Sequence, residues 1–210
     1  MPWNDYIRCY AVGHLETNCY VLERDGACLV VDPGSSGKAL ARELPEGAEV
    51  TIVATHGHHD HVGGVAAMKR ETGATYLISK GDAERAQRAL ELSSHVFDVS
   101  DGELENAPTP DGLLAEGDVV RIGPYELRVI EAPGHTPGGI VLLGDGFAFV
   151  GDTIFAGSVG RTDLVGGDHA TLMKTIKRLK KEIPRRTVLL SGHGPATTMA
   201  NEIACNPFFA

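Results

Sequence analysis

The feature that most constrains this chain is a histidine-rich run directly after an apolar segment. Residues Val50–Thr55 are apolar or β-branched, which predicts a buried strand. The next six residues are His56-Gly57-His58-His59-Asp60-His61. Side chains two residues apart share one side of an extended backbone, so His56 and His58 are expected to face one centre. A helix predicted from Val62 to Thr72 lets Asp60 and His61 turn towards a second centre.

Three further residues occupy the same kind of position, just beyond a predicted strand. They are His135, Asp152 and His193, each flanked by glycine or proline. A lone histidine or aspartate there is more often a turn or capping residue, and a histidine run can be a solvated surface tract. Four histidines and a carboxylate between a buried strand and a helix start fit that alternative poorly. Together these loops predict a site at one rim of packed sheets.

Short apolar runs and glycine-rich turns divide the rest of the chain into elements. Predicted strands are Tyr6–Val12, Asn18–Glu23, Ala27–Val31, Val50–Thr55, Thr75–Ser79, Val119–Ile122, Glu126–Glu131, Ile140–Leu143, Phe147–Val150 and Thr187–Leu190. Predicted helices are Lys38–Leu44, Val62–Thr72, Asp82–Leu92, Ala170–Ile183 and Thr197–Ala204. Two strand-rich halves, each followed by helices, predict an α/β chain with two sheets packed face to face and helices outside. The length favours one domain, residues 1–210.

One segment, Ser93–Glu116, is polar and rich in turn residues, so it is predicted to lack regular structure. It is interpreted either as a lid over the site or as a surface loop. Cys9, Cys19 and Cys28 lie in apolar strand-like segments and are predicted core residues. With Cys205 they form no CxxC pair, so reduced thiols are expected.

Charge and composition exclude several classes of protein. The formal net charge is −9, from 19 Lys and Arg against 28 Asp and Glu, which argues against a nucleic-acid partner. A basic run on the helix Ala170–Ile183 is interpreted as its solvated face, opposite an apolar one; it consists of Lys174, Lys177, Arg178, Lys180 and Lys181. No apolar stretch is long enough for a membrane span, and no secretory signal is visible. A cytoplasmic protein without an obligate protein partner is expected.

The order His56-x-His58-x-Asp60-His61, then His135, Asp152 and His193, resembles the metallo-β-lactamase superfamily. Within it, Thr55–Gly64, Pro133–Gly138 and Gly151–Phe155 resemble glyoxalase II. The later Gly192-His193-Gly194-Pro195 and Asn206-Pro207-Phe208-Phe209 are similar to its short bacterial relatives.

This resemblance implies an αββα sandwich of two mixed sheets and a site for two divalent metal ions. His56, His58 and His135 would hold the first ion, and Asp60, His61 and His193 the second, with Asp152 bridging them. Zinc is expected, with iron or manganese as alternatives. His59 matches no ligand position of the family, so it is expected to support the ligands or to face solvent.

The resemblance also implies a hydrolase that uses a metal-bridging hydroxide as nucleophile, oriented by Asp60. Asp152 favours thioesters or esters, because enzymes that open β-lactams generally lack this aspartate. The expected substrate is a small anionic thioester of the S-lactoylglutathione type. Because the sequence ends at Ala210, the chain is expected to lack the carboxyl-terminal extension by which full-length glyoxalase II contacts glutathione. Arg161 could replace that anion contact, or could simply pair with Asp163.

Two other functions remain open from the sequence. Persulfide dioxygenases of the same superfamily keep these ligands but use one iron, which here would bind His56, His135 and Asp152. Gly160-Arg161-Thr162-Asp163 resembles both families. A non-catalytic metal-binding module is the third interpretation, but such a module would be expected to lack a ligand, and none is missing.

Overall fold

The computed structural model describes residues 5–97 and 103–210, and two six-stranded sheets form its centre. The first sheet contains, in spatial order, β1 (Ile7–Val12), β2 (Thr17–Arg24), β3 (Ala27–Val31), β4 (Glu49–Val53), β5 (Thr75–Ser79) and β6 (Gly112–Leu114). Strands β1 to β3 are antiparallel, whereas β3 to β6 run parallel. The Asp25-Gly26 turn between β2 and β3 has both residues at positive φ, as a tight two-residue hairpin requires.

The second sheet is also mixed. Its first four strands are β7 (Val119–Ile122), β8 (Tyr125–Glu131), β9 (Ile140–Leu143) and β10 (Phe147–Gly151). After a small separate hairpin of β11 (Ile154–Phe155) and β12 (Ser158–Val159), the chain returns as β13 (Val188–Ser191) and β14 (Thr197–Thr198). Strand β13 pairs parallel to β10, and the spatial order is β14-β13-β10-β9-β8-β7.

Helices cover the outer faces of both sheets. They are α1 (Gly37–Arg42), α2 (His59–Val62), α3 (Val65–Thr72), α4 (Ala83–Gln87), α5 (Ala89–Ser93), α6 (His169–Glu182) and α7 (Met199–Cys205), followed by a 3-10 turn at Pro207–Phe209. No helix in the described ranges is long and apolar enough to cross a bilayer.

Alternation along the strands produces three apolar layers. In β3, Leu29 and Val31 pack towards the second sheet, whereas Cys28 and Val30 pack in the cluster with α1 and α3. On the far side of the second sheet, α6 buries a face spaced by three and four residues, which includes Leu172, Ile176 and Leu179. The predicted αββα sandwich is therefore confirmed.

The two predicted helices near the site are each broken in two. Helix α2 begins at His59, and the chain interrupts the helix at Gly63 and Gly64 before α3 starts. Gly64 donates its backbone N–H to the carbonyl of Pro33 at 2.7 Å, and a Cβ on Gly64 would overlap that carbonyl. The helix predicted at Asp82–Leu92 is likewise interrupted at Arg88, between α4 and α5.

Two other predictions need correction. Part of the segment Ser93–Glu116 is regular, because β6 pairs with β5 in parallel and extends the first sheet. Residues 98–102 of that segment lie outside the described residues. Cys19 and Cys28 are buried as predicted, but Cys9 is exposed because it lies on the edge strand β1.

Candidate metal centre

The structure brings all seven predicted ligand side chains together at the ends of strands from both sheets. His56 and His58 follow β4, and Asp60 and His61 lie in the single turn of α2. The other three come from the second sheet, where His135 follows β8, Asp152 follows β10 and His193 follows β13. Their ligand atoms form three groups, each within 4.8 Å. The first group is His56, His58 and His135, the second is Asp60, His61 and His193, and His56, His61 and Asp152 connect the two. Their role as ligands remains a prediction.

The first group consists of three ring nitrogens that converge. His58 Nδ1 lies 3.0 Å from His56 Nε2 and 2.9 Å from His135 Nε2. Ligands of a tetrahedral ion at 2.0–2.1 Å are about 3.3 Å apart, so only a small expansion would admit a metal. All three side chains are buried, which holds the nitrogens in place.

The second group has the spacing of a metal site without adjustment. Asp60 Oδ2 lies 3.4 Å from His61 Nε2 and 3.2 Å from His193 Nε2. The carboxylate of Asp152 lies between the groups, with Oδ1 3.4 Å from His61 Nε2 and Oδ2 3.5 Å from His135 Nε2. It therefore occupies the position that a bridging ligand would need.

Buried polar atoms without hydrogen-bond partners indicate whether a metal ion fits this site. His61 Nε2 and Asp152 Oδ1 are buried and have no hydrogen-bond partner among the described residues. A buried lone pair without a partner is unfavourable, and a cation would satisfy both atoms. Imidazole and carboxylate donors suit zinc, ferrous iron and manganese, so the residues fit a divalent metal centre.

Electrostatics separate the two groups. Burial holds the pKa of His56 well below its ordinary value and lowers that of His58 to about 3, and neighbouring imidazoles add to both effects. Burial alone would lower the pKa of His61, but Asp60, Asp152 and Asp32 outweigh it and raise that pKa.

The pKa values of the two carboxylates are lowered, although burial alone would raise them. Desolvation alone would raise the pKa values of Asp60 and Asp152, but His61 and His193 hold both below the ordinary range. The pKa of His193 is raised, because its contact with Asp60 outweighs burial. Two of the three side chains in the second group, His61 and His193, therefore bind protons more strongly than ordinary histidines do.

Residues outside the predicted ligand set hold the predicted ligands in position, and the sequence analysis did not identify them. Asp32 Oδ2 lies 2.9 Å from His61 Nδ1 and also accepts the Thr55 hydroxyl at 2.7 Å, while its Oδ1 accepts the Thr55 N–H. Asp32 has a positive φ of 56°. The sequence did contain a sign of this residue. Asp32 follows an apolar strand and precedes Pro33-Gly34, and the predicted ligands likewise follow apolar strands beside glycine or proline.

Asp82 is a second positioning residue of this kind. It is fully buried, and its two oxygens accept the backbone N–H groups of Gly57 at 2.8 Å and Gly138 at 2.7 Å. Gly57 lies between His56 and His58, and Gly138 belongs to the His135 loop. One carboxylate thus joins the loops that carry the first group.

His59 is only 1% exposed, so the expectation that it faces solvent is wrong. Its ring packs on Phe97 with 5.3 Å between centroids, and its Nδ1 lies 3.8 Å from Asp60 Oδ1. Neither ring nitrogen has a hydrogen-bond partner in the described ranges. Its position beside Asp60 agrees with the other expectation, that it supports the ligands.

A cavity of about 420 Å³, the metal cavity, opens over both groups. Its walls beyond the predicted ligands include Leu15, Phe97, Phe155, Arg161 and Leu164. Phe97 belongs to the segment Ser93–Glu116, so the described part of that segment contributes to the wall. The Arg161 side chain forms a bidentate pair with Asp163, at 2.7 Å for both bonds, as one of the two interpretations of Arg161 predicted.

Comparisons with known proteins agree with this geometry. Hydroxyacylglutathione hydrolase GloC of Haemophilus influenzae is 29% identical over 96% of this chain and 97% of that protein. A structure titled BLEG-1 B3 metallo-beta-lactamase superposes with a TM-score of 0.86 at 33% identity, covering 97% of this chain and 99% of that one. TTHA1623, solved in a di-iron-bound form, gives 0.82 at 32% identity over 96% and 99%. The sequence model of the metallo-beta-lactamase superfamily matches residues 12–193, and the chain belongs to that superfamily.

Proposed function

We propose that this protein uses two divalent metal ions to hydrolyse small anionic thioesters or esters. The observation that carries the proposal is the pair of predicted ligand groups beside one open cavity, with the Asp152 carboxylate within 3.5 Å of a histidine nitrogen from each group. The similarity to a hydroxyacylglutathione hydrolase over nearly the whole chain supports the thioester assignment.

We assign Asp60 a defined part in the proposed reaction. Divalent ions at these groups would supply Lewis acidity and lower the pKa of bound water to about 7. The Thr17 hydroxyl donates to Asp60 Oδ2 at 3.0 Å, the oxygen that also approaches His61 and His193. Asp60 Oδ1 therefore remains available to accept a hydrogen bond from the attacking water and to orient it.

The walls of the metal cavity fit a small substrate with an apolar part and a negative charge. Leu15, Phe155 and Leu164 offer apolar contact, and Arg161 brings a guanidinium to the rim. Because Asp163 neutralises much of that charge, the proposal assigns Arg161 the weaker role of a steering contact.

Metal quantification followed by an activity panel tests the proposal. We expect two ions per chain and hydrolysis of glutathione thioesters at rates far above an oxygen ester of the same acid. A chromogenic cephalosporin belongs in the panel because one structural relative is titled a B3 metallo-beta-lactamase. Protein with both sites filled that hydrolyses the cephalosporin but no thioester or ester would overturn the proposal.

A persulfide dioxygenase is the second candidate. His56, His135 and Asp152 lie together and offer the two histidines and one carboxylate that a single iron would need, with 3.5 Å between His135 Nε2 and Asp152 Oδ2. Because persulfide dioxygenases keep the same ligands, the similarity to a hydroxyacylglutathione hydrolase over nearly the whole chain is what favours the hydrolase. One iron per chain, with oxygen consumed on addition of glutathione persulfide, would establish the dioxygenase instead.

A further inference from the structure

The segment Asn206-Pro207-Phe208-Phe209 resembles the short bacterial relatives of glyoxalase II, yet none of its residues is a predicted metal ligand. It follows α7, and its 3-10 turn contacts both α6 and β12. Strand β12 is half of the small hairpin that lines the metal cavity, whereas the described lining of that cavity includes none of the four residues. The segment therefore contacts an element of the cavity wall from outside the cavity.

The β11–β12 hairpin supplies one wall of the metal cavity and needs support from outside. Its strands are joined by two residue pairs, Ile154 with Val159 and Phe155 with Ser158, and form a two-stranded sheet of their own. Such a hairpin is marginally stable alone. Phe155, Ser158 and Val159 line the cavity, and the Phe155 ring lies 6.1 Å from the His193 ring, measured between centroids. The position of the hairpin therefore determines the shape of the cavity beside the second group.

Two polar side chains near the carboxyl end of the chain bind the turn of this hairpin. Glu202 Oε2 accepts the Gly157 N–H at 2.9 Å, and Asn206 Nδ2 donates to the Ser158 carbonyl at 2.9 Å. Asn206 Nδ2 also donates to Glu202 Oε2 at 2.7 Å, so the two side chains form one unit, the Glu202–Asn206 pair. Asn206 Oδ1 accepts the Phe208 N–H at 3.0 Å. The Asn206 amide thus connects the hairpin, α7 and the 3-10 turn.

Glu202 is fully buried, and its carboxylate accepts two hydrogen bonds on each oxygen. Oε1 accepts the Thr197 hydroxyl at 2.6 Å and the Asn201 amide at 3.1 Å. Burial alone would raise the pKa of Glu202, but these hydrogen bonds outweigh it and hold the pKa below its ordinary value. A carboxylate accepts on both oxygens and donates on neither, which suits a site where four donors converge. A buried group with all its bonds made is rigid, and so is the turn that it binds.

The predicted ligands His135 and His193 are positioned from outside the hairpin. His135 Nδ1 lies 2.7 Å from the Arg161 carbonyl, and His193 Nδ1 lies 3.1 Å from the Leu15 carbonyl. Gly160, which separates the hairpin from Arg161, packs so closely on the loop after β10 that a Cβ would overlap a backbone carbonyl there. A shift of the hairpin turn would therefore change the cavity wall more than the metal centre.

We propose that Glu202 and Asn206 are positioning residues for substrate binding, because they hold the β11–β12 hairpin, and with it Phe155, at the wall of the metal cavity. The substrate contacts Phe155, and the Glu202–Asn206 pair acts through the hairpin without touching the substrate. This inference rests on the proposed function, since it concerns how the substrate of that reaction is bound. It assigns the carboxyl-terminal segment a part in KM and none in metal binding.

Asn206→Ser tests the pair with one substitution. Serine keeps an oxygen that can cap the Phe208 N–H, but it lacks the amide that donates to the Ser158 carbonyl and to Glu202. We expect KM for S-lactoylglutathione to rise about tenfold, the effect of one or two hydrogen bonds, while kcat changes by less than about twofold and metal content is unchanged. A residue with a purely structural role would lower stability without separating KM from kcat in this way.

Asn201→Ser is the matched control. The Asn201 amide donates to the same carboxylate, at Glu202 Oε1, and to Thr197 Oγ1 at 3.2 Å, but makes no hydrogen bond to the hairpin in the described ranges. The same chemical change therefore removes bonds on the side of the carboxylate that does not bind the hairpin, and KM should stay that of the wild type. Equal rises in KM for Asn201→Ser and Asn206→Ser would overturn the inference.

Phe155→Ala tests whether the pair acts through the cavity wall. It removes a side chain of the wall and leaves the bonds to Gly157 and Ser158 in place, so KM should also rise. In the double variant with Asn206→Ser, the two effects should be less than additive in free energy, because the displaced hairpin no longer carries the ring. Fully additive effects would mean that Asn206 does not act through Phe155 and would overturn the inference.

Amide hydrogen exchange gives a readout independent of turnover, and it applies to the wild type if Asn206→Ser fails to fold. Gly157 lies in an exposed turn, but its N–H is bonded to buried Glu202. We therefore expect slow exchange of this amide in the wild type and in Asn201→Ser, and faster exchange in Asn206→Ser. Exchange in the wild type as fast as that of an unfolded peptide would overturn the inference.

Two outcomes separate this inference from the proposed function. An active thioesterase in which Asn206→Ser keeps the wild-type KM overturns the inference alone. A metal-loaded wild type that hydrolyses no thioester or ester overturns the proposed function, and the role of the pair in substrate binding is then overturned with it.

Discussion

At the scale of single residues, we propose two tasks for the one carboxylate of Asp60, binding metal and orienting the attacking water. Its Oδ2 lies among Thr17, His61 and His193, whereas its Oδ1 contacts no ligand nitrogen of the second group. We expect Asp60→Ala to retain the fold, to reduce metal content from two ions towards one, and to lower kcat by about 10²-fold or more. Elemental analysis and thioester turnover on the same sample measure both effects.

Thr17→Val is the matched control for this change. It removes only the 3.0 Å hydrogen bond to Asp60 Oδ2 and leaves both carboxylate oxygens in place. Full metal content and a loss of kcat of about tenfold or less are expected. If Asp60→Ala keeps near-wild-type hydrolysis with two bound ions, the proposed role of Asp60 is wrong.

The two ligand groups should also lose metal at different pH. The pKa of His58 is about 3 and that of His56 is held well below its ordinary value, so protons compete less for these two ligands of the first group than for ordinary histidines. His61 and His193 have raised pKa values, so the second group must release protons to bind metal. Its affinity therefore falls as pH decreases through the neutral range.

Dialysis between pH 8 and pH 5, followed by metal analysis, measures this order. We expect the content to fall from two ions to one before it falls to zero. Titration of metal at pH 7 in buffers of different ionisation enthalpy should show proton release at the second site. The assignment is contradicted if both ions are lost together, or if the first group loses its ion while the second group still holds one.

The sequence identified the clustered side chains of the candidate metal centre better than it identified the residues that position them. The run from His56 to His61 is local, and a metal site accounts for four histidines in six residues better than a solvated surface tract does. Asp32 and Asp82 are isolated aspartates in turns, where aspartate is common. Their hydrogen-bond partners lie 23 to 56 residues away in the sequence. That proximity depends on how the strands are ordered in space, which the local pattern does not contain.

At the scale of elements, Asp82 connects two loops through backbone hydrogen bonds. It precedes α4, and its carboxylate joins the loop after β4 to the loop after β8. Asp82→Ala leaves two buried N–H groups without an acceptor, which costs about 1–3 kcal/mol for each. We expect an unfolding free energy lower by about 2–6 kcal/mol in urea titrations and weaker metal binding at the first group.

Asp82→Asn is the informative comparison. Asparagine keeps one acceptor oxygen, so one of the two N–H groups retains its partner and roughly half of the loss is expected. Equal stability of Asp82→Ala and wild type would show that the two loops do not depend on this carboxylate.

Elements were predicted well where periodicity alone decides them. Strands such as Ala27–Val31 and Thr75–Ser79 have the predicted bounds, because a buried strand reads as a continuous apolar run. The break between α2 and α3 was missed, since Gly63 and Gly64 make contacts with residues near Pro33 that are remote in sequence. Strand β6 was missed for a related reason: its three residues need β5 as a partner.

At the scale of the whole molecule, the candidate metal centre joins the two sheets. His56, His58, Asp60 and His61 follow the first sheet, and His135, Asp152 and His193 follow the second. The unfolded chain cannot assemble this set, so bound metal stabilises the folded state by mass action, by about 2.7 kcal/mol for each site at a free metal concentration 100 times Kd. For a chain of this length, that corresponds to a rise in Tm of about 5–10 °C for each site.

Calorimetry measures this contribution. Three samples are compared: metal-loaded protein, protein stripped by a chelator, and stripped protein after metal is restored. Stripping should lower Tm by the sum for two sites, and restoration should recover it. Asp60→Ala should lose about half as much on stripping, because only the first group still binds, whereas Thr17→Val should behave like the wild type. The apolar layer between the sheets contains no metal ligand, so the stripped protein should still unfold cooperatively. A Tm that stays constant when two ions are removed would mean that these seven residues do not hold metal across the sheets.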